Sequence, residues 1–120
     1  MVKSEGIAII QEALFHCWSK QSSTKYTLAN RASGQCGVTA LVVQDLFGGH
    51  IVKTKVDGMW HYYNQLHGEY YDFTSSQFQS PIIYEHVPSN RKEAFTDTNA
   101  SQYNALKTAV FSCFQESKTL

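Results

Sequence analysis

The sequence predicts an α+β domain, and three observations carry that expectation. The run from Val38 to Phe47 is apolar nearly all round, the mark of a helix buried on most sides. Three β-prone runs follow it, separated by Asp57-Gly58 and His67-Gly68, and Asp-Gly is a strong hairpin signal. Amphipathic segments stand near both ends of the chain. A length of 120 residues leaves room for a single domain over residues 1–120, because compact domains cluster at about 100 to 150 residues. A 42% hydrophobic content, with seven Phe, seven Tyr and two Trp, excludes a disordered chain.

The elements follow in order. Ile7, Ile10, Leu14 and Trp18 recur at helical spacing behind Ser4 as N-cap and Glu5 in the first turn, which predicts a helix over residues 4–18. Polar residues 19–33 form a loop, long enough to carry function or to hide a short element. Ser33-Gly34-Gln35 leads into a central helix over residues 36–47, stopped by Gly48-Gly49. IVKTKV, MWHYYNQL and EYYDFT then predict a three-stranded antiparallel meander, and IIYEHV, between Pro81 and Pro88, one more strand. Tyr103, Leu106, Val110, Cys113 and Phe114 give a closing helix after Asp97-Thr98-Asn99.

Two-residue turns fix register, so Val56 faces Met59 and Leu66 faces Glu69, and the remaining pairs follow by parity. One face collects Val52, Thr54, Val56, Met59, His61, Tyr63, Tyr70, Asp72 and Thr74; the other collects Lys53, Lys55, Trp60, Tyr62, Asn64, Tyr71 and Phe73. The face without lysines is expected to meet the central helix. On it Asp72 lies opposite Tyr63 and diagonal to His61, at roughly 7 to 8 Å between backbone positions, which an imidazole and a carboxylate bridge.

That pairing suggests nucleophilic chemistry. A thiol becomes a strong nucleophile when a helix N-terminus or an imidazolium lowers its pKa. Cys36 opens the central helix, and His61 with Asp72 would complete a Cys-His-Asp triad: nucleophile, general base and acid, and orienting carboxylate. The backbone N–H of Cys36, with Gln35 or Asn30 as a second donor, would stabilise an oxyanion. Cys17 and Cys113, on apolar helix faces, read as packed small hydrophobes.

Other classes are set aside by composition. Ten basic and ten acidic residues balance, so charge argues for neither nucleic acid nor an anionic membrane surface. The strand face carrying Lys53, Lys55, Trp60, Tyr62 and Tyr71 mixes cations with aromatics as single-strand binders do, but at zero net charge it reads as a packing surface. Five histidines form no HxxxH or HExxH, so no metal or other cofactor is expected. Three cysteines without a CxxC fit free thiols, and the N-terminal residues lack a signal-peptide h-region, so a cytoplasmic location is expected, with no membrane span.

Gly34-Gln35-Cys36, then His61-Tyr62-Tyr63-Asn64, then Asp72-Phe73-Thr74 with Gln77, occur in the order found in the transglutaminase-like branch of the papain-like cysteine enzymes, which this stretch resembles. The resemblance implies a papain-like fold, Cys36, His61 and Asp72 as the triad, Trp18 as the upstream oxyanion-hole residue, and peptide or small-amide acyl transfer by hydrolysis or transamidation. The sequence departs from that pattern at Gly37, where the family has an aromatic residue, at Tyr63 in place of Trp, and at Ser75-Ser76. GQCGVTALVVQDLFGG and YYDFTSSQF also resemble the YunG-like family of small bacterial proteins. A catalytically silent binding domain that keeps the same geometry is the competing expectation.

Overall fold

The computed structural model describes the backbone of residues 4–119 and the side chains of residues 5–114. Helix α1 (Ser4–Cys17) is followed by turns through residue 34, then α2 (Cys36–Phe47). Strands β1 (His50–Val56), β2 (Met59–Leu66) and β3 (Glu69–Tyr71) form the meander, with β4 (Val87–Pro88) added beside β1. A short α3 (Arg91–Ala94) and a 3-10 turn over Phe95–Asp97 lead into α4 (Ala100–Thr119). The fold is α+β, with a four-stranded antiparallel sheet in the order β3-β2-β1-β4. The capping role expected of Ser4 lies outside the described side chains.

Both hairpin registers are the expected ones: Val56 pairs with Met59 and Leu66 with Glu69. Asp57 (φ 52°) with Gly58 (φ 79°), and His67 (φ 50°) with Gly68 (φ 81°), adopt the double left-handed conformation that a two-residue turn of this kind requires. The third strand is shorter than expected and ends at Tyr71. The strand expected over IIYEHV is reduced to Val87–Pro88, because His86 takes φ 54° and breaks the extended run. Upstream of that break the Thr54 hydroxyl donates to the Ile83 carbonyl, so this segment lies over the sheet instead of joining it.

Helix α2 packs on the sheet face opposite to the one expected. Ile51 and Tyr62 join Cys36, Ala40 and Leu41 in one apolar cluster, and the Asn64 side-chain amide donates to the Ala40 carbonyl at 3.0 Å. Two lysines on that face do not prevent this. Lys53 stacks over Trp60 at 4.2 Å and pairs with Glu93 at 3.0 Å, so its stem is buried while its charge is satisfied. The other face, with Val52, Thr54, His61 and Tyr63, is covered by the segment around Phe78 to His86.

The larger core cluster lies between helices: Ile10, Leu14 and Trp18 from the first segment, Val38, Val42 and Val43 from α2, and Leu106 and Val110 from α4. Gly49 (φ 75°) closes the connection from α2 to β1. A Cβ there would stand 2.3 Å from the Gln65 carbonyl oxygen. Gly49→Ala is therefore expected to cost about 2 kcal/mol or more, read as a lower urea midpoint with an unchanged slope.

Candidate active site

Cys36 is the first residue of α2, and Gln35, which precedes it, makes no side-chain cap to the helix. The cap comes from the far end of the chain. Asp97 Oδ2 accepts the Gly37 backbone N–H at 3.0 Å and the Cys36 thiol at 3.3 Å. A carboxylate at a helix N-terminus is a favourable arrangement for the helix, since it satisfies an orphan donor and meets the positive end of the dipole.

β3 ends at Tyr71, and the Tyr62 backbone in β2 is near enough to the Cys36 sulfur to favour its ionised form. His61, one residue before, is only 2% exposed and sits edge-on to Phe78 at 5.0 Å between ring centres. Cys36, His61 and Asp97 line one cavity of about 250 Å³, together with Lys25, Trp60 and Gln77.

The expected hydrogen bond between His61 and Asp72 is present: Nε2 to Oδ2 is 2.7 Å. The same carboxylate accepts the Tyr84 hydroxyl on Oδ2 at 2.8 Å and the Thr74 N–H and hydroxyl on Oδ1 at 3.2 and 3.3 Å. A carboxylate surrounded by donors is an acceptor only, so Nε2 carries a ring proton, and in the tautomer with its single proton there Nδ1 is an acceptor. Nδ1 is buried and has no hydrogen-bond partner among the described residues.

The thiol itself differs from the expectation. Burial first, and then the Asp97 charge, push the Cys36 pKa well above its ordinary value, against a lowering by the Tyr62 backbone bond. A helix terminus is worth about 0.3–1 kcal/mol, which does not offset a 7% exposed sulfur facing a carboxylate. Cys36 is thus a protonated thiol that donates to Asp97, not a thiolate paired with His61. The Asp97 carboxyl is itself raised by burial and partly held down by Cys36, Gly37, Lys25 and His61.

Three expected oxyanion donors are committed elsewhere. The Trp18 indole N–H donates to Thr39 Oγ1 at 2.9 Å inside the core, the Asn30 amide donates to the Gln77 carbonyl at 3.2 Å, and the Gln35 amide donates to the Ser19 carbonyl at 3.4 Å. None of the three lines the cavity, and the unpartnered atom of Gln35 is Oε1, an acceptor. Cys17 packs against the larger core cluster as expected, and burial and the neighbouring Cys113 push its pKa up to about 12.

Sequence reasoning missed Asp97 and Tyr84. Asp97 read only as part of the lead-in to the closing helix, and Tyr84 as a strand residue; no local pattern marks either as a neighbour of Cys36 or Asp72. Among the described residues no group of three or more His, Cys, Asp or Glu converges as metal ligands would, and no helix is long and apolar enough to cross a membrane.

The fold and this cleft define an α+β domain in which the cysteine that heads a helix and a buried histidine, itself bonded to an aspartate outside the cleft, line one cavity. The chain belongs to the YunG family: a family model described as YunG protein matches residues 6–115. It is 56% identical over 100 residues to the uncharacterized protein YunG of Bacillus subtilis (strain 168), an alignment that covers 83% of this chain and 87% of that one. No solved structure matches.

Proposed function

We propose that the cleft is a cysteine acyl-transfer site with a papain-like or transglutaminase-like disposition of Cys36, His61 and Asp72. One observation carries the reading: the bare, unpartnered Nδ1 belongs to a ring that lines the same cavity as Cys36, while Nε2 is held by Asp72. A buried acceptor without a partner costs about 1–3 kcal/mol, and a proton relay accounts for that cost at His61.

In the reaction the thiol proton moves to Nδ1 and the sulfur attacks the carbonyl carbon of an amide or ester, forming a C–S bond. Collapse breaks the C–N or C–O bond, and the imidazolium returns its proton to the departing amine or alcohol. Water or an amine then attacks the thioester through His61 and frees the thiol. Asp72 keeps the ring in the required tautomer throughout. Peptide or small-amide substrates suit a cavity of about 250 Å³.

The test is intact-mass analysis after exposure to a panel of activated acyl esters and amides. Wild type is expected to gain one acyl group on Cys36 and then lose it; Cys36→Ala is expected to gain none, and His61→Ala to acylate about 10²- to 10⁴-fold more slowly. An unmodified mass with every donor overturns the proposal. A second reading, a silent binding domain, is favoured by the thiol proton being directed to Asp97 and not to His61. It requires that no donor acylate the protein and that Cys36→Ser keep full ligand binding.

A further inference from the structure

Behind the histidine–aspartate pair lies a second cavity, of about 220 Å³, lined by Tyr63, Tyr70, Tyr84 and Asp72. Tyr70 and Tyr84 are each nearly parallel to the His86 ring, at 10° and 6°, so they stand nearly parallel to one another. Tyr63 is inclined to them at 62° and 69°, with ring centres at 6.5 and 5.1 Å. Three tyrosine rings with a carboxylate beside them thus line an aromatic box. His86 stacks on Tyr70 at 3.6 Å and bonds the Tyr63 hydroxyl at 2.8 Å, which ties these two rings together. Tyr70 and Tyr84 are 42% and 37% exposed, so the box opens to solvent.

The geometry points to a binding site for a quaternary ammonium group. Ring faces attract cations, and none of the lining residues is basic. Hydrogen bonding selects the kind of cation. A carboxylate has about four acceptor directions, and those of Asp72 are taken by His61, Tyr84 and the two donors of Thr74. The box therefore supplies negative charge and ring faces with no acceptor left for an N–H donor. A primary ammonium loses its hydration there without replacement, whereas a methylated cation has no such bonds to lose. The volume lies below the roughly 300–1,000 Å³ of pockets for drug-sized ligands, which suits a head group alone.

The experiment is an NMR titration of the full chain at constant ionic strength with choline, with its neutral isostere carrying carbon in place of nitrogen, with tetramethylammonium and with methylammonium. Saturable shifts at residues 63, 70 and 84 are expected, with choline binding about tenfold more tightly than the isostere and tetramethylammonium more tightly than methylammonium. Tyr70→Leu and Tyr84→Leu are each expected to weaken choline about fivefold or more, and Tyr84→Phe, which keeps the ring, to retain it. Nε-trimethyl-lysine is compared with choline to tell a methylated side chain from a free small molecule; tighter binding of either one than of the isostere supports the site. Equal affinity for choline and its isostere, tighter binding of methylammonium, or wild-type affinity in leucine variants that melt like wild type overturns it. Binding is read directly, so the outcome is independent of whether Cys36 transfers acyl groups.

Discussion

Asp97→Asn is expected to make Cys36 alkylate roughly three- to sixtyfold faster at neutral pH. The carboxylate of Asp97 accepts the thiol proton at 3.3 Å, and after burial its charge is the strongest influence raising the thiol pKa. Removing a like charge at this range lowers a pKa by about 1 to 3 units. Far below its pKa a thiol gains tenfold in thiolate per unit, but the thiolate loses nucleophilicity with a Brønsted slope of about 0.4–0.5, which leaves the net gain stated. The sign is fixed: the thiol pKa falls, so the rate profile against pH moves toward lower pH, with burial still holding it above that of a free cysteine. Iodoacetamide labelling with peptide mass mapping reads Cys36 apart from Cys17 and Cys113. An Asp97→Asn protein whose Cys36 labels at the wild-type rate at every pH would show that the carboxylate does not hold the thiol.

Gly37→Ala is expected to destabilise the protein by about 2–3 kcal/mol, a fall in melting temperature of about 10 °C, and to release Cys36 at the same time. A Cβ at this position would stand 2.7 Å from both Cβ and Oδ2 of Asp97 and 2.8 Å from the Ala94 carbonyl oxygen. The Ala94 oxygen is backbone, flanked by α3 and the 3-10 turn, so relief requires that the whole segment from residue 94 to residue 97 move away from α2. Such a movement takes Asp97 off the thiol, so faster Cys36 labelling accompanies the loss of stability. Wild-type melting with unchanged labelling would count against this packing. The same contact explains why position 37 is glycine here: the space is filled by Asp97. A bulky residue at position 37 and an aspartate at position 97 cannot both be accommodated.

The legible part of the site was the part that short-range rules govern. His61 and Asp72 are joined through two-residue turns whose geometry Asp57-Gly58 and His67-Gly68 specify, and counting by parity from those turns placed the two side chains on one face. The strand IIYEHV was read from β-prone residue types, but His86 in a left-handed conformation interrupts it, and the segment it belongs to covers the sheet and brings Tyr84 to Asp72. The choice of sheet face failed for a definable reason. A lysine marks an exposed face only if its charge has no partner, and Lys53 has Trp60 and Glu93.

The sequence by itself determined where α1, α2, the two hairpins and α4 lie, and that an imidazole and a carboxylate would meet on the sheet, because periodicity and turn chemistry act over a few residues. Only the tertiary structure decided which face α2 covers, that Cys36 is a protonated thiol bound to Asp97, and that three tyrosines gather around Asp72. Those outcomes depend on burial and on charges brought together from distant parts of the chain, Cys36 and Asp97 being 61 residues apart. Local spacing holds no record of such encounters.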